Sequence, residues 1–187
     1  MRLLRRLRIV VAMIVSDFRV IPEKDPACRN KWEAAFCYPG FYALMAYRIN
    51  HELWRYRYAK LLARILSTIA RLFTGVDIHP GAWIGYRCFI DHAMCVVIGE
   101  TAEVGHDCHI LHGVTLGGTG HHTGKRHPTV GNNVFLGAHA SLLGPIVVGN
   151  WVKVGAGTTV LVDIPDHATV VGGHVQRIKQ YTVLSST

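Results

Sequence analysis

Val76-Asp77-Ile78-His79-Pro80-Gly81-Ala82-Trp83-Ile84-Gly85-Tyr86-Arg87-Cys88-Phe89-Ile90 decides the fold, because an aliphatic residue stands at every sixth position, Ile78, Ile84 and Ile90. A helix repeats its apolar face about every 3.6 residues and a half-buried strand every two, so this period fits neither. The register slips by two to Ile98 and runs on through Val104, Ile110 and Leu116. It breaks over Gly117 to Thr129, then resumes at Val130, Leu136, Leu142, Val148, Val154 and Val160. A long fixed period marks a repeat architecture. Its physical reading is a short strand with one inward aliphatic residue, then a tight turn, with three such sides closing a triangular coil. Stacked coils bury the aliphatic column and pair each backbone with its neighbour about 4.8 Å away. Glycines such as Gly85, Gly99, Gly105, Gly131 and Gly149 suit the corners, where side chains would crowd.

Outward from this stretch, the chain reads as α+β by content and mainly a β solenoid. A helical segment, 1–75, precedes a parallel β-helix of about five coils, 76–172, with one protruding loop and a tail, 173–187. Phe41 to Tyr56 carries Leu44, Tyr47, Arg48 and His51 at helical spacing, and Tyr58 to Phe73 carries Leu61, Leu62, Ile65, Ile69 and Leu72. Asp25-Pro26 and Pro39-Gly40 mark turns before them. At the start, arginines precede the apolar run Ile9 to Val15, but the run is short, lacks a small-x-small site and is followed by Asp17 and Arg19. It predicts a helix on the protein or at a membrane surface rather than a leader. No stretch approaches the roughly 20 apolar residues of a membrane span.

The 187 residues are half apolar and 17% charged, a profile of packed rather than disordered chains. Twenty Lys and Arg against twelve Asp and Glu give +8, which attracts anions in general. No nucleic-acid motif accompanies that charge, so no nucleic acid is expected, and an anionic membrane and a phosphorylated cofactor stay as candidates. Five cysteines without a CxxC pair argue against a disulfide scaffold and for the reducing cytoplasm.

Two places stand out for chemistry. The excursion Gly117 to Thr129 interrupts a regular coil, and long excursions in compact domains are usually functional. Arg126 and His127 lie at its returning end. Asp91 and His92 follow the inward Ile90, with Asp77 fifteen residues before His92, close to one full turn of three six-residue sides. That spacing predicts an aspartate and an imidazole on adjacent rungs, the arrangement of an oriented general base. His106, His109 and His112 recur every three residues, and a trimeric solenoid could gather histidines from two chains around zinc. A passive or metal-binding solenoid therefore stays open beside the catalytic reading.

The strings Asp77-Ile78-His79-Pro80, Ile90-Asp91-His92-Ala93, Val96-Val97-Ile98-Gly99-Glu100-Thr101-Ala102, Gly113-Val114-Thr115-Leu116-Gly117-Gly118-Thr119-Gly120 and Gly124-Lys125-Arg126-His127-Pro128 closely resemble the serine O-acetyltransferase family of hexapeptide-repeat acyltransferases. The resemblance covers about Asp25 to Gly172 and implies that the β-helix is left-handed. It implies acetyl transfer from acetyl-CoA to L-serine in cysteine biosynthesis, with no metal. By matching positions, His92 is the general base and Asp77 its orienting partner. Asp25, Asp91, Arg126 and His127 hold the serine, and Gly118, Ala138, Lys153 and Ala156 line the CoA groove. The resemblance also implies a homotrimer, with a dimer of trimers as the larger alternative, and feedback inhibition by cysteine. Homoserine or another small hydroxy-amine is the alternative acceptor, since one methylene shifts preference only about 10- to 200-fold.

The chain departs from the family pattern in several places. Cys95 and His139 stand where glycine is usual. After Val171 it reads Gly172-Gly173-His174-Val175-Gln176-Arg177, without the usual proline. It ends Ser185-Ser186-Thr187 without the family's terminal isoleucine, so a stable complex with O-acetylserine sulfhydrylase is not predicted. The helical segment is shorter than in long members, which bears on the hexamer and not on the trimer.

Overall fold

All the aliphatic residues of the six-residue register, from Ile78 to Val160, are buried, none more than 5% exposed. A second inward column lies two residues ahead of each, including Ala82, Cys88, Val96, Ala102, Cys108, Val114, Val134, Ala140 and Val152. Side chains alternate across a strand, so the residue two before an inward one also points inward. The sequence period had shown only the larger member of each pair.

A computed structural model describes residues 2–121, 123–172 and 177–180. The expectations about 173–176 and the 185–187 terminus lie outside the described residues. Three sheets, parallel except for the last strand, form the faces of a triangular coil. The first face stacks β1 (Asp77–Ile78), β4 (Val97–Ile98), β7 (Thr115–Gly117), β10 (Ser141–Leu143) and β13 (Thr159–Val160). The second stacks β2 (Trp83–Ile84), β5 (Glu103–Val104), β8 (Thr129–Val130) and β11 (Val147–Val148). The third stacks β3 (Phe89–Ile90), β6 (His109–Ile110), β9 (Phe135–Leu136), β12 (Lys153–Val154) and β14 (Ala168–Val171), against which β15 (Arg177–Gln180) pairs antiparallel.

Coil length is where the solenoid departs from regularity. Ser141 stacks on Thr159 after the regular eighteen residues, but Asp77 stacks on Val97 after twenty, and Glu103 on Thr129 after twenty-six. The twenty-residue coil is the two-residue slip in the register, and the long one holds the excursion around Gly117 to Pro128.

Ahead of the solenoid lie α1 (Arg2–Lys24), α2 (Lys31–Phe36), α3 (Pro39–Trp54), a 3-10 turn (Arg57–Ala59) and α4 (Lys60–Thr74). Helix α2 was not foreseen. It is short, and its start is set by the Asn30 side chain, which accepts from the Trp32 and Glu33 amides. Gly75, at φ 71°, ends α4 in the left-handed conformation that a side chain resists. The apolar stripe of α4 faces away from the solenoid: Leu61, Leu62, Leu72 and Phe73, with Tyr58 of the preceding turn, are exposed, whereas Ala63, Ser67 and Thr74 are buried. No helix among the described residues is long and apolar enough to cross a membrane.

Helices α1 and α3 are joined to the coil by one buried ion pair. Arg48 of α3 donates to both Asp17 carboxylate oxygens, at 3.0 and 3.2 Å, and to the Ile84 and Gly85 carbonyls, the latter at 2.6 Å. Asp17 also accepts from the Cys88 amide at 3.2 Å. Burial pushes the Asp17 carboxyl above its ordinary range while Arg48 pulls it back. Breaking one half of such a pair strands the other in low dielectric, typically at about 3–5 kcal/mol. Arg48→Ala should therefore lower stability by about that much, read as a fall in the urea midpoint with little change in slope.

Candidate active site

The corner between the third and first faces begins the site. Ile90 and Ile98 are eight residues apart rather than six, and His92, Ala93 and Cys95 absorb the extra length at φ 56°, 58° and 62°. Left-handed backbone costs a residue with a Cβ about 1–2 kcal/mol, which accounts for glycine as the easier residue at position 95. His139, at φ 59°, meets the same condition two coils further along this edge, with Gly113 at φ 69° between them. The Cys95 amide bonds the Gly75 carbonyl and the Gly113 amide the Met94 carbonyl, so the bulge is held from both sides. The His92 imidazole is thereby turned into solvent, 72% exposed.

Asp91 and His92 line a cleft of about 490 Å³ with Asp25, Cys37, Tyr38 and Gly40. Asp91 is mostly buried and lies 3.9 Å from His92 Nε2 and 3.6 Å from His109 Nε2. The His109 ring packs between Phe89 and Phe135, with centroids at 4.8 and 5.2 Å, and burial pushes its pKa down. Asp25 accepts from Tyr38 Oη at 2.5 Å and from the Ala27 amide at 2.8 Å. The Tyr38 hydrogen bond is the main cause that holds the Asp25 carboxyl below its ordinary range. Gly40 brings these parts together, because α3 lies so close to β3 that a Cβ there would overlap the Ile90 carbonyl oxygen.

Arg126 and His127 lie on a different edge, between the first and second faces. Arg126 donates to Glu100 Oε2 at 2.7 Å, and both backbone amides donate to Thr101 Oγ1. His127 is packed so closely on Gly99 that no side chain fits there. Its Nδ1 accepts from the Thr101 amide, which leaves Nε2 to carry the proton of the neutral ring. Burial and the neighbouring Arg126 push its pKa down. A larger cavity, about 840 Å³, opens beside this edge between Trp54, Trp83, Thr101 and Lys125, with neither His92 nor Asp91 on its wall.

The ten site positions thus fall into groups. Asp25, Asp91 and His92 share one cleft, while Arg126, His127 and the adjoining Gly118 occupy another edge. Ala138 and Ala156 follow one another up the edge that carries His92, joined by the hydrogen bond of Gly157 N to Ala138 O at 2.8 Å. Lys153 is exposed on the neighbouring third face. His112 and His139 continue the edge above His92, with ring centroids 5.7 Å and then 5.0 Å apart.

The expected hydrogen bond between Asp77 and His92 is not formed in this arrangement of side chains. No hydrogen bond or ion pair joins them among the described residues; Asp77 pairs with Arg71 at 3.0 Å instead. The first coil takes twenty residues, so Asp77 stacks on Val97 and His92 stands at the corner before that strand, while the Asp77 carboxylate is turned to Arg71. Sequence reading also missed Tyr38, Gly40 and His109. Pro39-Gly40 was read as a turn, whereas Gly40 belongs to a helix, where its lack of a side chain was the available signal. Among the described residues no three His, Cys, Asp or Glu side chains converge as a metal site, and His106 points instead at the Tyr86 ring.

Residues 127–161 match the family model described as "Bacterial transferase hexapeptide (six repeats)". The chain is similar to serine acetyltransferases of Synechococcus elongatus, 55% identical over 85% of this chain and 65% of that protein, and of Helicobacter pylori, 56% identical over 86% and 92%. It therefore spans just under two thirds of the first and nearly all of the second. Among solved structures it resembles Neisseria gonorrhoeae serine acetyltransferase in complex with serine, at TM-score 0.88 and 41% identity, covering 94% of this chain and 72% of that one. A serine acetyltransferase in complex with cysteine is also similar, at TM-score 0.87 and 40% identity, covering 91% and 70%. The left-handed parallel β-helix follows from these likenesses.

The closeness of α3 to β3 yields a test. Gly40→Ala should push the helix off the strand, lowering stability by about 1–3 kcal/mol or more, as overpacking does, and opening the cleft. Urea unfolding reads the first effect and faster hydrogen exchange of the Phe41 amide, which donates to the Tyr38 carbonyl, the second.

Proposed function

Because this chain belongs to the serine acetyltransferase family and is by that membership an acyltransferase, we propose that it moves the acetyl group of acetyl-CoA to the hydroxyl of L-serine, with His92 as general base. The observation that carries this reading is the cleft in which the exposed His92 imidazole meets two carboxylates, Asp25 and Asp91. Carboxylates attract the serine ammonium and present its hydroxyl to the imidazole. His92 takes the hydroxyl proton as the serine oxygen bonds to the thioester carbonyl carbon. The carbon–sulfur bond then breaks, and the proton passes to the departing CoA sulfur. Proximity and general-base help are the main contributions, and none of the five cysteines is needed as nucleophile.

Arg126 and His127 are assigned to the serine carboxylate, a role suited to a guanidinium fork. Since they stand on another edge of the same solenoid, the complete site forms between two solenoids of a homotrimer, each giving one edge to its neighbour. The exposed apolar stripe of α4 favours assembly as well, because large uncovered apolar surfaces usually mark interfaces. Pairing of such trimers would give the hexamer. Asp77 is assigned to orient His92: its bond to the exposed Arg71 is worth little, so a rotamer change frees the carboxylate for an imidazole. Gly118, Ala138 and Ala156 leave room for the pantetheine arm of CoA, and Lys153 offers a cation to its phosphates. Cysteine shares the ammonium and carboxylate of serine and so competes for the same cleft. A cytoplasmic place in cysteine biosynthesis suits the free thiols.

Loss of a general base typically costs about 100-fold or more, so His92→Ala should lower turnover by that amount in an assay of CoA release. A wild-type rate would remove His92 from the chemistry. Arg126→Ala should chiefly raise the serine KM. When His92→Ala and Arg126→Ala chains are unfolded together, refolded and assayed at a serine concentration too low for either variant alone to turn over, interfaces joining one of each restore up to roughly a quarter of wild-type activity. No recovery would mean that each chain builds its site alone. A panel of serine, homoserine and other hydroxy-amines with acetyl-CoA checks the acceptor.

A further inference from the structure

Resting on the reading of this cleft as the serine site, we propose that Tyr38 is a positioning residue that sets serine affinity by holding Asp25 as an ionised receptor for the substrate ammonium. Asp25 begins the segment between α1 and α2 and has few restraints of its own. Its amide bonds the Ile21 carbonyl at 2.9 Å, and among the described residues its carboxylate accepts hydrogen bonds from the Ala27 amide and the Tyr38 hydroxyl. Two donors occupy part of a carboxylate's acceptor capacity and leave the remaining lone pairs facing the cleft.

Tyr38 is by contrast tightly placed. Its ring lies 6.2 Å from Phe89 and packs against the buried cluster of Val20, Ile21, Ala34 and Phe89. Its carbonyl accepts from the Phe41 amide at 3.0 Å as α3 starts. Two residues later Gly40 is pressed onto Ile90, directly before Asp91 and His92. One rigid path therefore runs from the strand carrying the base, through Gly40 and Tyr38, to the Asp25 carboxylate.

Hydrogen bonding and electrostatics act in the same direction. A phenol O–H can donate to the ionised carboxylate, favouring the charge that an ammonium needs. Burial and the bond to Asp25 push the Tyr38 phenol up, so it stays protonated and remains a donor. Arg29, Glu33, Asp91 and His92 line the same cleft, and of the groups around it His92 from the corner and His109 from the third face add to the lowering of the Asp25 pKa. Neither is in hydrogen-bond contact with it, so removal of the phenol leaves the backbone amide as the one direct donor.

The test compares Tyr38→Phe with Asp25→Asn. Hydrogen bonds to charged groups are strong enough that Tyr38→Phe should raise the serine KM about tenfold, with kcat and the acetyl-CoA KM changing much less. Inhibition by glycerate, which keeps the carboxylate and hydroxyls but has no ammonium, should be unaffected. A merely structural loosening of the cleft would weaken glycerate equally, and that result overturns the proposal. So does a wild-type serine KM in Tyr38→Phe when Asp25→Asn has raised it. A wild-type serine KM in both variants overturns the assignment of the cleft itself. NMR titration of the Asp25 carboxyl in the unaltered chain needs no variant: a midpoint below 3.8 supports the proposal, and one at or above it sinks it.

Discussion

The Arg48 guanidinium holds the molecule's two halves in one frame. It bridges the Asp17 carboxylate of α1 and the Ile84 and Gly85 carbonyls at a corner of the first coil. Those carbonyls lie at an edge between sheets, and without such a donor they would lose partners as the helices cover them. Tyr47 reinforces the junction, since its hydroxyl donates to the Ala82 carbonyl at 2.7 Å and accepts from the Ile84 amide at 3.1 Å. The cleft needs this junction, because Asp25 and Tyr38 come from the helical segment and Asp91 and His92 from the solenoid.

The solenoid makes a second contribution by tolerating a costly corner. Three residues with Cβ atoms take left-handed backbone between His92 and Cys95, an arrangement that persists only where the surroundings determine it. The surroundings here are regular coils whose inward residues are fully buried, together with backbone bonds from Gly75 and Gly113. Local distortion and global regularity are thus linked: the same two extra residues that break the period turn the imidazole outward.

Division of the site between two edges has an electrostatic logic. The carboxylates lie at one edge and Arg126 at the other, where Glu100 accepts its hydrogen bond and is held below the ordinary carboxylate range by it. An amino acid carries both charges, so the proposed serine site draws on both edges. A triangular coil cannot bring two of its own edges together, and the proposed assembly of neighbouring solenoids would.

By itself the sequence determined the solenoid, since a six-residue aliphatic period has one economical packing, and the slip and the excursion were visible as the two places where regularity fails. His92, Asp91, Arg126 and His127 were legible because they sit at those irregularities. Only the tertiary structure decided which of them meet. The first coil takes twenty residues and Asp77 pairs with Arg71, neither of which a spacing read as a regular coil could show. Tyr38 and Gly40 carried no periodic signal, because their roles come from the approach of α3 to β3 across some fifty residues of chain. The orientation of α4 was equally hidden: its apolar stripe was plain in the sequence, but a helical period names a face without saying what that face meets.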